Sequence, residues 1–354
     1  MSRHRHLLLT TLLVTLTPVA FAAQPLPAFN GDAAQSSVSG LSSGAFMAFQ
    51  YLVANSASVK GAGVVAGGPY YCAVGNLPTA LSCMNGLTPA PAALLASAET
   101  FELMGQIDAL SHLAKRRAYL FSGTSDSVVQ PAAVEAGDAF LRLAGMPDAQ
   151  RRYVGTLPAG HALITPAFGN ACDANKTPYI SHCAVDDNGY DQAGAILTQI
   201  DPELKPPSAD IPAGRLVAFD QKPFTSWRAR MASEGHVYVP RACERGEPCR
   251  VHIALHGCKQ SSKTIGDLFY TRTGYNRWAD SNNLLILYPQ VDPTPMVNPS
   301  GCWDWWGYSG ADYAWKGGAQ ITAIKAMADH LVSAPLPSPA TDAAAIRQRG
   351  AGLP

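Results

Sequence analysis

Charge is scarce in this chain. Only 15% of its 354 residues are charged, and 26 basic residues are balanced by 26 acidic ones. A near-neutral, sparsely charged chain lacks the electrostatic footprint of a nucleic-acid binder. It also lacks a polybasic patch for an anionic membrane surface. Beyond the first 22 residues there is no apolar run of membrane-spanning length. No CxxC pair occurs, so the cysteines lack the usual spacing of zinc ligands, and no internal repeat is present. Nothing in the sequence calls for a metal, an organic cofactor or an obligate protein partner.

The one long apolar run lies at the start. A basic opening, Arg3-His4-Arg5-His6, leads into an apolar stretch over 7–19 and then Ala20-Phe21-Ala22. That order is the pattern of a secretory signal peptide with a small-x-small cleavage site. Residues 1–22 are therefore expected to be removed on export, to the periplasm or the extracellular medium. The remainder reads as one catalytic-size domain over 23–333, followed by an Ala/Pro-rich, low-complexity tail over 334–354 with no separate substrate-binding domain.

All eight cysteines lie after the leader: Cys72, Cys83, Cys172, Cys183, Cys243, Cys249, Cys258 and Cys302. An even count in an exported chain argues for disulfides. Eight cysteines allow 105 pairings, so sequence alone does not select one. Proximity along the chain suggests Cys72–Cys83, Cys172–Cys183 and Cys243–Cys249, leaving Cys258–Cys302 as a longer staple.

Short apolar runs ending at turn signals predict buried parallel strands within 59–68, 116–123 and 151–161. Helical periodicity is expected over 44–57, 100–114 and 130–144. Residues 165–220 read as irregular apart from a helix near 192–200. Strands resume within 235–240, 249–257 and 283–290, and a helix is expected over 317–332. Alternating strands and helices indicate an α/β fold with a mostly parallel sheet.

Gly40-Leu41-Ser42-Ser43-Gly44 fits Gly-x-Ser-x-Gly, the pattern of a serine nucleophile on a sharp strand-to-helix turn. A serine hydroxyl needs a histidine to take its proton and an acid to orient that histidine. Asp126 follows the strand at 116–123, and His161 follows the next one. Ser42, Asp126, His161 is the chain order this fold requires. Each has a plainer reading: Asp126 as a helix cap, His161 as a loop histidine. His182 and His256 are rival bases, each beside a cysteine and a tight loop. Oxyanion donors are expected from the N–H of Ser43 and, in His256-Gly257-Cys258, from the N–H of Cys258. That loop should precede the nucleophile but lies far downstream of it. The strands missing before Ser42 are those near 235–290, which fits a circularly permuted α/β-hydrolase sheet.

Four of the six tryptophans fall within 303–315. Trp303, Trp305, Trp306 and Tyr308 sit in a Gly-rich stretch, where aromatics commonly offer a flat face to a ligand. A core corner is the alternative, particularly for Trp303 and Trp305.

The motifs GLSSGAFMA, GTSDSVVQP, PAGH, HGCKQ, GYNRWAD, LYPQ and NPSGCWDWWGY together resemble the polyhydroxybutyrate (PHB) depolymerases whose catalytic domain is a circularly permuted α/β hydrolase. The resemblance runs from about Ser37 to His330. It implies hydrolysis of esters in short-chain polyhydroxyalkanoates through an acyl-enzyme, without metal or cofactor. Ser42 would attack, His161 would act as base and then acid, and Asp126 would orient it. The N–H groups of Ser43 and Cys258 would hold the oxyanion, and a tryptophan of the 303–306 cluster would line the monomer subsite. The partner expected is a polyester or oligoester substrate. Other exported esterases, of feruloyl or acetyl-xylan type, and a non-catalytic polymer binder are the rival readings.

Overall fold

The computed structural model describes residues 23–185, 188–208 and 211–334. The expected leader and all of the tail except Ala334 lie outside them. Ten strands are described: β1 (Ser36–Leu41), β2 (Val59–Val65), β3 (Arg117–Phe121), β4 (Arg151–Val154), β5 (Leu163–Thr165), β6 (Ile180–His182), β7 (Arg215–Asp220), β8 (Glu234–Val239), β9 (Arg250–Leu255) and β10 (Leu284–Tyr288). Eight form one sheet in the order β4-β3-β2-β1-β9-β10-β8-β7, and β5 and β6 form a small pair of their own. In the larger sheet β4, β3, β2, β1, β9 and β10 run parallel, β8 is antiparallel to β10, and β7 is antiparallel to β8.

β1 is a central strand. It pairs with β2 on one side and, in parallel, with β9 on the other, Val38 opposite Ile253 and Gly40 opposite Leu255. The strands an elbow requires beside it come from the far end of the chain. Counting from β7 through β10 and then β1 through β4, the spatial order becomes 1-2-4-3-5-6-7-8. This is the hydrolase sheet with its chain opened just before the nucleophile strand, as the position of Ser42 predicts.

Both sheet faces are covered. Val251, Ile253 and Leu255 of β9 enter one buried cluster, while Ala254 enters the other. The helix after β1, α1 (Ser43–Ala54), is buried along its whole length, so an apolar helix with no polar face fits its place against the sheet. The helix expected over 100–114 lies instead at Pro91–Leu103. Pro91 suits a first turn, and Gly105, with φ of 70°, ends the helix in a left-handed turn that a Cβ would disfavour. A short helix at Leu77–Met84 lies where no element is expected, and the strand β7 falls within the stretch read as irregular. β7 is an edge strand with Arg215 and Leu216 exposed, so its apolar pattern is weak.

The eight cysteines form Cys72–Cys83, Cys172–Cys183, Cys243–Cys249 and Cys258–Cys302, the same pairs that proximity along the chain singles out. Four disulfides suit an oxidising compartment. No helix among the described residues is long and apolar enough to cross a membrane.

Candidate active site

Ser42 occupies the bend between β1 and α1 with φ 57° and ψ −123°, a strained backbone for a residue with a side chain. The bend is closed by three bonds: Ser42 N–H donates to Val65 O at 2.9 Å, and Ser42 O accepts the N–H groups of Ala45 at 2.8 Å and Phe46 at 3.0 Å. The flanking glycines have separate reasons. A Cβ on Gly40 would overlap the Gly44 backbone, and a Cβ on Gly44 would overlap the carbonyl oxygens of Leu255 and His256. The Gly-x-Ser-x-Gly spacing thus follows from a tight turn pressed against the end of β9. Ser42 heads α1, yet its side chain makes no capping bond to that helix.

Asp126 and His161 arrive at the same edge of the sheet, from the ends of β3 and β4. Both are buried, at 4% and 3% exposure. Asp126 Oδ2 lies 2.8 Å from His161 Nδ1. Its Oδ1 accepts the N–H groups of Val128 at 2.8 Å and Val129 at 2.9 Å. Asp126 is not a helix cap, since the next helix begins at Pro131 after Gln130; one oxygen caps a turn and the other holds the imidazole. The capping bonds keep the carboxylate from rotating, and His161 Nε2 is the nitrogen left to exchange a proton.

The rival histidines are placed differently. His256 is fully buried. Its Nε2 accepts Val291 N–H at 3.1 Å, so its Nδ1 carries the proton that meets Gly257 O at 2.7 Å. Burial lowers its pKa to about 4, so it stays neutral and shapes the loop. His182 is exposed, with Nδ1 3.3 Å from Gly169 O. Among the described residues, neither meets a carboxylate.

The loop after β9 leaves one amide open. Gly257 N–H donates to Gln260 Oε1 at 2.7 Å, and Lys259 N–H donates to Ser300 O at 2.7 Å. Between them, Cys258 N–H has no hydrogen-bond partner among the described residues, and neither does Ser43 N–H at the head of α1. Ser43 is buried and Cys258 partly buried, and buried backbone donors are rarely left unpaired. Gln260 also donates to Pro178 O at 2.8 Å and Tyr179 O at 3.1 Å, fastening this loop to the segment before β6. Gln260 lies within the HGCKQ motif, but no sequence pattern marks this task.

No family model matches the chain. Over 318 residues it is 43% identical to a poly(3-hydroxybutyrate) depolymerase of Delftia acidovorans, covering 88% of this chain and 62% of that protein. Over 339 residues it is 39% identical to a polyhydroxybutyrate depolymerase of Talaromyces funiculosus, covering 91% of this chain and 96% of that protein. The chain belongs to the PHB depolymerase family. It spans 62% of the Delftia relative's length. The crystal structure of a PHB depolymerase from Penicillium funiculosum superposes with a TM-score of 0.80 at 37% identity, over 87% of this chain and 99% of that one. A PHB depolymerase structure complexed with an R3HB trimer has the same TM-score at 36% identity, with the same coverage.

In this member of the PHB depolymerase family the aromatic stretch is a built loop. Trp303 has no exposed surface and belongs to the sheet core. Trp305, 4% exposed, stacks on Phe46 of α1 at 3.8 Å. Tyr308 OH donates to Cys302 O at 2.7 Å and accepts from Gln320 at 2.8 Å, and burial drives its pKa far up. These three side chains mainly hold the loop together. Trp306 is only partly buried and meets Trp305 edge-on at 5.9 Å. The organiser of the loop is Asp304, which the sequence reading passed over. Its carboxylate accepts N–H bonds from Trp306 at 3.2 Å, Gly307 at 2.7 Å, Tyr308 at 3.0 Å and Ser309 at 2.7 Å. Its place between two tryptophans was the available signal.

Proposed function

We propose that this protein is a serine esterase that hydrolyses poly(3-hydroxybutyrate), or related short-chain polyhydroxyalkanoates and their oligomers. The observation that carries the reading is the Asp126–His161 hydrogen bond at 2.8 Å, delivered to the sheet edge where Ser42 heads a strained elbow. In this reading His161 takes the Ser42 proton as Oγ attacks the ester carbon. The oxyanion accepts from the N–H groups of Ser43 and Cys258. The C–O bond then breaks, and His161 returns its proton to the leaving alcohol. Water, activated by the same imidazole, releases the acid and restores Ser42. The step needs no metal or organic cofactor.

Of the four aromatics considered for the substrate subsite, Trp306 is favoured, because it keeps surface that Trp303 and Trp305 have lost to packing. The catalytic unit is the single domain 23–333, exported after loss of residues 1–22, and its partner is a polyester or oligoester rather than a nucleic acid or membrane. The kinship with PHB depolymerases, one of them complexed with an R3HB trimer, supports this choice of ester.

The test is product analysis on amorphous poly(3-hydroxybutyrate) and on the 3-hydroxybutyrate trimer, beside feruloyl and acetylated sugar esters. Release of hydroxybutyrate units is expected. Hydrolysis confined to the sugar esters would assign the protein to the other esterase class, and no hydrolysis of any ester would leave a binding protein.

A further inference from the structure

Asn175 belongs to none of the motifs, yet its side-chain amide uses every bonding position it has. Oδ1 accepts His161 N–H at 2.8 Å and Ser127 N–H at 3.0 Å. Nδ2 donates to Ser125 O at 2.9 Å and Asp173 O at 3.0 Å. The partners fix which end is oxygen, since a flipped amide would set NH₂ against two N–H groups and oxygen against two carbonyls. Ser125 and Ser127 are the residues on either side of Asp126. One amide group therefore ties the backbone of the acid's turn, before and after Asp126, to the backbone of the histidine it orients.

The segment carrying Asn175 is itself secured beneath the histidine turn. Gly160 N–H donates to Cys172 O at 2.8 Å, and Cys172 is bonded to Cys183. A Cβ on Gly160 would overlap the carbonyl oxygens of Asp173 and Ala174, which accounts for the glycine immediately before His161. Ser125 N–H also donates to Ala159 O at 3.0 Å. The turns after β3 and β4 and the loop between β5 and β6 thus form one cross-linked block, with Asn175 as the side chain common to all three. A bond of 2.8 Å between Asp126 and His161 depends on both backbones keeping their places. A displacement of about 1 Å in such a pair can lower rate by roughly 100-fold.

We propose that Asn175 is a positioning residue for the Asp126–His161 pair. The inference rests on the esterase reading above. Its consequence falls on turnover rather than on substrate affinity, because Asn175 reaches the reaction only through the backbone of the acid and the base.

The experiment compares Asn175→Ala, Asn175→Asp and Ser42→Ala in the full chain, on a soluble butyrate ester and the 3-hydroxybutyrate trimer, with rates normalised to folded protein from thermal unfolding. Asn175→Ala should lower kcat by roughly 10- to 100-fold with KM changed less than about twofold. Asn175→Asp keeps both accepted bonds, loses both donated ones and adds a negative charge beside His161. It also sets that charge against Ser125 O and Asp173 O, so kcat should fall at least as far as in Asn175→Ala, and the acid limb of kcat/KM should move to higher pH, because the charge favours the imidazolium. If Asn175→Ala does not fold, the limb shift in Asn175→Asp decides. Wild-type kcat and an unmoved limb in folded variants, with only a lower Tm, would overturn the proposal and leave Asn175 a plain cross-link. Activity surviving in Ser42→Ala would instead overturn Ser42 as the nucleophile, and no activity in the wild type would overturn the esterase reading.

Discussion

Trp303 N–H donates to Ser43 Oγ at 3.2 Å, across 260 residues of chain. Ser43 carries one of the two open amides, and Cys258, which carries the other, is bonded to Cys302, the neighbour of Trp303. Both amides are thus fastened to the same two consecutive residues. The Ser43 side chain, which has no assigned role beside the expected one of its amide, has a partner of its own.

That bond separates the two serines of the elbow. Ser42→Ala should remove esterase activity by on the order of 10⁴- to 10⁶-fold while leaving the fold intact. Ser43→Ala keeps the amide but strands a buried N–H, at a cost of about 1–3 kcal/mol in stability. It should show a lower Tm and a much smaller loss of kcat. Steady-state kinetics with thermal unfolding checks both, and equal losses of activity would mean the elbow has been misread.

The Cys258–Cys302 bridge closes a loop with a sequence separation of 44 residues. A chain-entropy estimate for such a loop is about 4 kcal/mol. The double variant Cys258→Ser/Cys302→Ser should be less stable by up to that amount, and should also lose kcat below its melting transition, since the bridge holds the residue proposed as an oxyanion donor. The pair Cys243→Ser/Cys249→Ser, far from the site in the fold's connectivity, should lose stability alone. Kinetics well below each variant's Tm distinguishes the two.

The tryptophans should divide by role. Trp303→Ala removes a fully buried side chain and should cost about 3–5 kcal/mol of stability. Trp306→Ala should leave Tm nearly unchanged and raise KM for the trimer several-fold. A large drop in Tm for Trp306→Ala would return it to the core and remove it from the subsite.

Acid should destabilise the fold through histidines other than His161. Burial lowers the pKa of His236 and His256 to about 4 and of His252 to about 3. His252 sits neutral between the hydroxyls of Ser37 and Ser39, each 2.8 Å away. An unfolded histidine titrates near 6.5, so below that pH the unfolded chain binds protons that the folded chain refuses. Stability contributed by each is intact above about 6.5 and is lost as pH falls toward 4, by up to about 1.4 kcal/mol per pH unit per histidine. Denaturant unfolding from pH 7 to 4.5 should show uptake of two to three protons near the middle of that range, and His236→Phe should lower the uptake. Uptake below one would contradict the neutral, buried state of these rings.

The parts legible in the sequence were those written in local pattern. Gly40 and Gly44 announce a backbone that cannot carry Cβ atoms, and the alternating apolar residues of β9 announce a strand. The order of Ser42, Asp126 and His161 follows from strands delivering loops to one edge, and the distance from Ser42 to His256-Gly257-Cys258 was enough to suggest a cut and rejoined sheet. The helix at Pro91–Leu103 was misplaced because a weakly amphipathic stretch leaves its end to Gly105 rather than to periodicity.

The tertiary structure alone decided what polar side chains do at long range. Asn175, Gln260 and Asp304 are ordinary loop residues by composition, and their partners lie on segments brought together only by the sheet. The fate of each tryptophan was likewise unreadable, since Trp303, Trp305 and Trp306 share a motif but differ in what packs over them. Turn conformation and the apolar patterning of strands are written by neighbours in sequence. Hydrogen-bond satisfaction and exposure are set by neighbours in space, and no spacing along the chain encodes them.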